Sequence, residues 1–152
     1  MQPSLTLDPA DELRAAGLRV TAVRLAVLEA VRQATDHPTV ESIAARVRER
    51  IGAASSQAIY DAVGAFEARG LVRRIEPAGH PIRFEGRVGD NHHHLVCRRC
   101  GRAIDVACSV GAAPCLEPKD AGGFVVDQAE VTFWGICPAC QRTVQRPEVS
   151  RP

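Results

Sequence analysis

Hydrophobic residues recur at helical spacing through the first 70 residues of the chain. Leu25, Leu28 and Val31 follow one another at intervals of three, as the buried stripe of an amphipathic helix does. N-capping side chains and closing glycines bound the periodic segments. Together these signals predict four helices, over Asp8–Ala16, Thr21–Gln33, Thr39–Gly52 and Ser55–Gly70.

Two short β-prone runs follow the helices, in the segment LVRRIEPAGHPIRFE at residues 71–85. They flank the turn-rich residues 77–81 and therefore predict a β-hairpin. Helices followed by a hairpin describe a winged helix-turn-helix, in which the fourth helix would enter the major groove of DNA. On this pattern alone, a small helical domain with a hairpin and no role in DNA binding fits as well.

The pattern changes after residues 86–91, GRVGDN, which have the composition of a short linker. Beyond them the chain is β-rich, with strands predicted at His92–Val96, Ala103–Val106 and Val125–Ile136. One short helix is predicted between Pro114 and Gly122. The chain as a whole is therefore predicted to be an α+β protein.

Composition narrows the class of protein. Of the 152 residues, 45% are hydrophobic and 24% are charged, which is ordinary for a globular protein. No apolar run approaches the roughly 18 residues that a membrane span needs, and the N-terminus lacks the features of a signal peptide. We expect a cytoplasmic protein. The net charge of +1 decides little, but the first 80 residues carry ten Arg against ten Asp and Glu, so any DNA binding there depends on a few well-placed arginines.

Four of the six cysteines form two Cys-x-x-Cys pairs, Cys97/Cys100 and Cys137/Cys140. A spacing of two lets both thiolates of a pair reach one ion from a tight turn, and two pairs complete a tetrahedron of sulfurs. An iron–sulfur centre and thioredoxin-like dithiols are the rival interpretations. Four thiolates with no open position favour a structural zinc ion.

Three consecutive histidines precede the first cysteine pair. In a strand, His92 and His94 would face one side of the sheet and His93 the other. Two imidazoles on one face suggest a second metal site. A polar strand edge or a histidine-rich loop is the alternative interpretation.

Over about residues 10–141 the chain resembles the ferric uptake regulator family. The resemblance rests on motifs whose order and spacing are together highly specific: Gly17-Leu-Arg-Val-Thr21-x-x-Arg24, His37-Pro-Thr, Gln57-Ala-Ile-Tyr60, Gly70-Leu-Val, Phe84-Glu85, His92-His-His-Leu-Val-Cys97-x-x-Cys100-Gly and Trp134-Gly-Ile-Cys137-x-x-Cys140. Within the family, VGDNHHH at residues 88–94 and CSVGAAPC at residues 108–115 resemble the FurA and CatR subgroup, which is linked to catalase genes and oxidative stress.

The resemblance implies a homodimeric repressor that binds A·T-rich, palindromic operator DNA when it holds a regulatory Fe(II) or Mn(II) ion. Peroxide would release it from catalase, oxidative-stress or iron genes. The implied organisation is a winged-helix DNA-binding domain at residues 1–84, a hinge at 85–91 and a small α/β dimerisation and metal-binding domain at 92–141. Residues 142–152 are predicted to be a disordered tail.

The resemblance also implies the ligands of the regulatory metal. They are His37, Glu85, His92, His94 and Asp105. Imidazoles with carboxylates suit Fe(II) or Mn(II) better than a closed zinc tetrahedron. Taken singly, each residue has an ordinary explanation: a helix cap for His37, an exposed strand end for Glu85 and a turn residue for Asp105.

Some family members carry an auxiliary metal site in the dimerisation domain, and there this sequence departs from the family. Asn91, Ala112 and Ala129 stand where ligands would be expected. The departure predicts that the auxiliary site is absent or degraded and that His93 has no partners.

The DNA contacts are likewise implied by the resemblance. The residues carried over are Arg19, Thr21, Arg24, Ser56, Gln57, Tyr60, Arg73 and Arg74. Tyr60 would touch a thymine methyl group in the major groove, and Arg19 would reach the minor groove. For each arginine, an exposed helix face or hairpin is the alternative.

Cys108 and Cys115 lie outside the zinc pairs and are possible redox thiols that form a disulfide. Two small residues without redox chemistry fit their pattern equally well.

Among other functions, a zinc or nickel uptake regulator, a zinc-stapled metallohydrolase and a zinc-stapled protein adaptor stay open. A hydrolase would need an open coordination position, a base and a pocket, and the sequence contains no catalytic helix motif such as HExxH. We therefore expect no enzymatic activity.

Overall fold

The computed structural model describes residues 7–112 and 114–144. They belong to two compact units that divide between Val88 and Gly89. The first unit has four helices and two strands: α1 (Pro9–Ala15), α2 (Ala22–Arg32), α3 (Val40–Ile51), α4 (Ser56–Ala68), β1 (Arg73–Ile75) and β2 (Arg83–Glu85). The four predicted helices are confirmed to within two residues at each end.

Side-chain caps begin all four of these helices. Asp8, Thr21, Thr39 and Ser55 each accept a hydrogen bond from a backbone N–H in the first turn of the helix that follows. Such caps satisfy donors that have no partner inside the helix. At the other end of α3, Gly52 adopts a φ of 78°, a conformation that glycine reaches without strain.

The helices of the first unit enclose one hydrophobic core. Leu13, Leu28, Ile43, Ile59 and Phe66 are fully buried, and they come from all four helices. Strands β1 and β2 form an antiparallel hairpin in which Arg74 is paired with Phe84. The Phe84 side chain belongs to the same buried cluster as the helices. Helices closed by a hairpin make this unit a winged helix-turn-helix.

The second unit is built on a three-stranded sheet. Its elements are β3 (His92–Cys97), β4 (Ala103–Ala107), β5 (Thr132–Gly135) and α5 (Pro138–Val144). Strand β3 lies in the centre, antiparallel to β4 and parallel to β5. The central position of β3 buries residues on both of its faces, so that only Leu95 is partly exposed.

Two predictions for the second half of the chain are wrong. Residues 114–122 form turns and bends rather than a helix. A helix there would require Pro118 to donate an N–H that proline lacks, and its ring would clash with the preceding turn. The last strand begins at Thr132, not at Val125, whose side chain is 96% exposed.

The second cysteine pair lies at the start of a helix that the hydrophobic pattern did not reveal. Helix α5 begins at Pro138, at the first helical position, where proline is favoured because no N–H partner is needed. Its last residues, 142–144, fall in the segment predicted to be a disordered tail; residues 145–152 lie outside the described part of the chain. Among the described residues, no helix has both the length and the apolar character to cross a membrane.

Two isoleucines of α3 provide a matched test of the core. Ile43 is fully buried, whereas Ile51, in the same helix, is 36% exposed. We expect Ile43→Ala to lower the free energy of unfolding by about 2–5 kcal/mol, because the cavity adds to the lost burial, and Ile51→Ala to lower it by less than about 1 kcal/mol. Urea denaturation followed by circular dichroism at a helix wavelength would measure both. Equal losses would contradict the described packing.

Candidate metal centres and DNA-facing helix

The four cysteines of the Cys-x-x-Cys pairs come together at one end of the sheet in the second unit. Cys97 ends β3, and the chain turns back at once through Gly101, whose N–H donates to the Cys97 carbonyl at 2.9 Å with a φ of 72°. Cys137 and Cys140 lie at the start of α5. All four sulfur atoms are within 4.8 Å of one another.

The sulfur positions fit a tetrahedral zinc ion. The Sγ atoms of Cys100 and Cys137 are 3.7 Å apart. Zinc–sulfur bonds of about 2.3 Å place two sulfurs of a tetrahedron roughly 3.8 Å apart. Four soft sulfur donors and no oxygen ligand suit zinc better than a hard cation.

Hydrogen bonds give the four thiols unequal acidity. The backbone N–H of Cys137 donates to Cys97 Sγ at 3.3 Å, and this contact lowers the pKa of the Cys97 thiol to about 6. The side-chain hydrogen bond with Cys137, together with burial, raises the pKa of Cys140 to about 12. Cys97 is therefore a thiolate at neutral pH, the form that binds metal.

On one face of the sheet, two of the predicted regulatory ligands share a carboxylate. His94 lies directly opposite Asp105 in the register of β3 and β4. The Nε2 atoms of His92 and His94 are 3.5 and 3.7 Å from Asp105 Oδ1. The ring centroids of the two histidines are 5.0 Å apart. The predicted alternation along the strand thus gathers two imidazoles and one carboxylate within the second unit.

Asp90, which was not among the predicted site residues, orients one of these imidazoles. Its Oδ1 lies 2.7 Å from His92 Nδ1. A carboxylate at that distance fixes the proton on Nδ1 and directs Nε2 toward Asp105, as acidic partners of metal-binding histidines do. The signal in the sequence was an acidic residue two positions before a candidate ligand histidine.

The other two predicted regulatory ligands are neighbours in the first unit. His37 Nε2 lies 3.9 Å from Glu85 Oε2, and both side chains are buried. Strand β2 holds the His37 segment in place: Arg83 donates to the His37 carbonyl at 2.9 Å, and the Phe84 N–H donates to the Pro38 carbonyl at 3.0 Å.

Two further features bear on this pair. His37 has a φ of 48°, a left-handed conformation that is uncommon outside glycine but several-fold enriched in asparagine, aspartate and histidine. Arg73, the register partner of Glu85 across the hairpin, places Nε 3.7 Å from Glu85 Oε1. The Arg73 guanidinium therefore lies beside the carboxyl group that the family resemblance predicts as a metal ligand.

The opposite face of β3 corrects one prediction from the sequence. His93 was expected to have no partners, but its Nε2 lies 3.1 Å from Cys115 Sγ. Cys108 belongs to the same group of potential ligands. Asn91, one of the residues that replace the auxiliary ligands, donates to the Ala112 carbonyl at 2.9 Å and thereby ties the loop after β4 to the start of β3.

Helix α4 presents a polar face to solvent. Its buried side consists of Ile59, Ala62, Val63 and Phe66. Ser56, Gln57 and Tyr60 lie on the opposite, exposed side, where Tyr60 is 52% exposed. Gln57 donates to Asp61 at 2.7 Å, and Ser56 accepts from Arg48 at 2.9 Å, so DNA binding would have to compete with or extend these contacts.

The remaining predicted DNA contacts are also held by neighbours. Thr21 caps α2, and Arg24 donates to the Arg19 carbonyl at 2.9 Å, so these residues order the start of that helix. Arg74 forms an exposed ion pair with Glu76 at 2.6 Å. Arg73 differs from the others, since its Nε lies 3.7 Å from Oε1 of the buried Glu85.

A winged helix followed by a cysteine-rich metal-binding unit defines the class as a metal-responsive transcriptional regulator. The model of the ferric uptake regulator family matches residues 15–131, and the chain belongs to that family. The transcriptional regulator FurA of Mycobacterium tuberculosis is 54% identical over 133 residues, which cover 88% of this chain and 90% of that protein. The chain is accordingly a regulator and not an enzyme.

Two further comparisons concern a relative and a solved structure of lower sequence identity. The peroxide operon regulator of Bacillus subtilis is 26% identical over 137 residues, covering 87% of this chain and 90% of that protein. The crystal structure of the Vibrio cholerae ferric uptake regulator superposes with a TM-score of 0.66 at 24% identity, covering 86% of this chain and all of that one. At that identity the superposition shows a shared fold.

The position of the only tryptophan makes zinc removal observable. Trp134 lies in β5, beside Val96, and Arg98 of the first cysteine turn stacks over its ring at 5.1 Å. Stripping zinc from the reduced protein with a strong chelator should shift Trp134 emission toward that of an exposed indole, because the sulfur cluster loses its cross-link. The helical circular dichroism of the first unit should change little. An unchanged Trp134 spectrum after complete zinc loss would contradict a structural role for the ion.

Proposed function

We propose that the protein is a metal-dependent, peroxide-responsive repressor that binds operator DNA as a homodimer when its regulatory site holds Fe(II) or Mn(II). The observation that carries this proposal is the gathering of buried imidazoles with carboxylates into two sets. One set is His37 with Glu85, and the other is His92 and His94 with Asp105. We expect it to act in the cytoplasm.

The division of donor types supports two different metals. The proposed structural zinc site uses the sulfurs of Cys97, Cys100, Cys137 and Cys140. The proposed regulatory ligands are nitrogen and oxygen atoms, which suit Fe(II) or Mn(II). A closed sulfur site stabilises the second unit, whereas an exchangeable nitrogen–oxygen site can respond to supply.

The regulatory logic is a shift between conformations of the dimer. When the regulatory metal is bound, the DNA-binding domains of the dimer would be fixed at the separation that two operator half-sites require. Without the ion, domains in other arrangements reduce the population that can bind. Metal therefore strengthens operator binding, and the size of this effect is set by how much more tightly the metal binds the arrangement that can bind DNA than it binds the others.

For operator binding, the exposed face of α4 is the proposed reading surface. Tyr60 is large, exposed and near the start of the helix, where recognition helices contact bases. Arg19, Arg24 and Arg74 would supply phosphate or minor-groove contacts.

The homodimer is supported by an apolar sheet face. Leu95 is flanked in register by Ile104 on one side and Phe133 on the other, and the outer two side chains are 37% and 50% exposed. A second copy of the chain would bury these side chains, as homodimer interfaces commonly do.

Two routes for the peroxide response follow from the side chains. At a site that holds Fe(II), the iron would supply the redox chemistry by which one peroxide gives an oxygen atom to a neighbouring imidazole and leaves as one water, with no net change in the oxidation state of the iron. Cys108 and Cys115 offer the other route, in which two thiols and one peroxide give a disulfide and two waters. The naming of a relative as a peroxide operon regulator supports the response but does not choose between routes.

Substitution of one ligand from each set tests the regulatory site. We expect His92→Ala and His37→Asn each to reduce Mn²⁺-dependent binding by at least roughly tenfold, about 1.4 kcal/mol, while each chain retains its zinc. Asparagine is chosen at residue 37 because it tolerates the positive φ. Fluorescence anisotropy of a duplex selected from a random pool with Mn²⁺ present would measure the effect.

His80→Ala, in the hairpin turn and outside both ligand sets, is the matched control and should retain full metal dependence. Unchanged Mn²⁺ dependence in His92→Ala and His37→Asn would overturn the regulatory site. If the wild-type chain binds no duplex DNA with any metal present, the result would instead favour a protein adaptor. A response to zinc or nickel alone would favour an uptake regulator for those metals.

Mass spectrometry separates the two peroxide routes. Anaerobic protein loaded with Fe(II) and then treated with peroxide should gain one oxygen atom on His37 or His92, since these imidazoles would lie beside the ion. The Mn(II)-loaded protein should not. Loss of two hydrogen atoms across Cys108 and Cys115 would assign the response to the thiols instead.

A further inference from the structure

A third group of metal-binding side chains lies in the second unit, apart from the two sets already described. It consists of His93, Cys108 and Cys115, and its potential ligand atoms are all within 4.8 Å of one another. None of the three is a regulatory ligand or a member of the Cys-x-x-Cys pairs. The His93 side chain is only 5% exposed. Such complete burial is unusual for an imidazole that has no structural or functional role.

The sheet and one loop bring these residues together. His93 pairs with Val106 across β3 and β4, and Cys108 follows immediately after β4 ends. The chain then turns back, so that Cys115 Sγ reaches a position 3.1 Å from His93 Nε2. The hydrogen bond from Asn91 to the Ala112 carbonyl ties this loop to the start of β3.

The donors favour one class of ion. Two thiolates and an imidazole are soft or borderline ligands, which select zinc over Fe(II), Mn(II) or Mg²⁺. In a zinc tetrahedron, sulfur and nitrogen donors lie roughly 3.5–3.8 Å apart. The potential ligand atoms are within 4.8 Å of one another. Small side-chain rotations that move these atoms by a few tenths of an ångström to about 1 Å would bring them to the spacing of a zinc tetrahedron.

The local backbone favours the thiolate that such a site needs. The Gly111 N–H donates to Cys108 Sγ at 3.4 Å, and this contact lowers the pKa of Cys108. Burial raises the pKa of Cys115, so this thiol keeps its proton until a bound cation displaces it.

We propose that His93, Cys108 and Cys115 form a second zinc site with three protein ligands and one open coordination position. The site is distinct from the four-cysteine centre, because it lies beside β4 and the following loop rather than at the end of β3. It does not depend on DNA binding or on the regulatory metal. Its open position leaves room for water or an exogenous thiol.

Protection of the two thiols by zinc tests the proposal in the full-length protein. The reduced protein is kept anaerobic, with one zinc per chain, and labelled with an alkylating reagent before and after a further equivalent of Zn²⁺. Peptide mass mapping locates the label. We expect the added zinc to slow labelling of Cys108 and Cys115 at least tenfold in the wild-type chain and in His80→Ala.

In His93→Ala and His93→Gln the same addition should slow labelling less than twofold. The four-cysteine zinc should stay at one per chain in all variants, which establishes that the second unit is folded. Protection of Cys108 and Cys115 that is equally strong in both His93 variants, or no protection in the wild-type chain, would overturn the site. The proposed regulatory metal site is unaffected by either outcome, because its readout is metal-dependent DNA binding; zinc on Cys108 and Cys115 would compete only with the thiol route of the peroxide response.

Discussion

The alternation of side chains along β3 is the constraint on which the second unit depends. Successive residues of a strand face opposite sides, so His92 and His94 are directed to one face and His93 to the other. The same strand ends at Cys97, which is the first of the four cysteines of the proposed zinc centre. A shift of the strand by one residue would exchange the faces and disperse the groups of potential ligands that the histidines form in the second unit.

The central position of β3 also explains why these polar side chains are tolerated in the interior. All three histidines are buried, and burial of a polar group is costly unless it is paired. Asp90 and Asp105 flank one face, while Cys115 meets His93 on the other. The sheet therefore separates nitrogen–oxygen donors from sulfur-containing ones, which is a physical basis for holding different metals in one small unit.

The hairpin of the first unit combines two roles on one pair of strands. Glu85 is a proposed metal ligand, and its register partner Arg73 was expected to contact DNA. Arg73 Nε and Glu85 Oε1 lie 3.7 Å apart, so the two side chains are close enough for an ion pair. A cation that arrived at Glu85 would weaken this attraction and leave Arg73 more available to a phosphate. The proposed metal ligand and the proposed DNA contact thus meet in one contact within this hairpin.

The sequence alone determined the helices of the first unit, the hairpin, the two cysteine pairs and the alternation of the histidines. These features depend on local rules: caps and periodicity for the helices, and a spacing of two for the thiolate pairs. The tertiary structure decided that Cys115 meets His93, that Asp90 orients His92 and that residues 114–131 form neither a helix nor a strand. Contacts of this kind depend on the path of a loop returning across a sheet edge, and no local pattern of residues encodes that path. The absence of expected auxiliary ligands at Asn91 and Ala112 suggested that His93 has no partners, whereas the fold supplies two thiols from the loop that those residues hold in place.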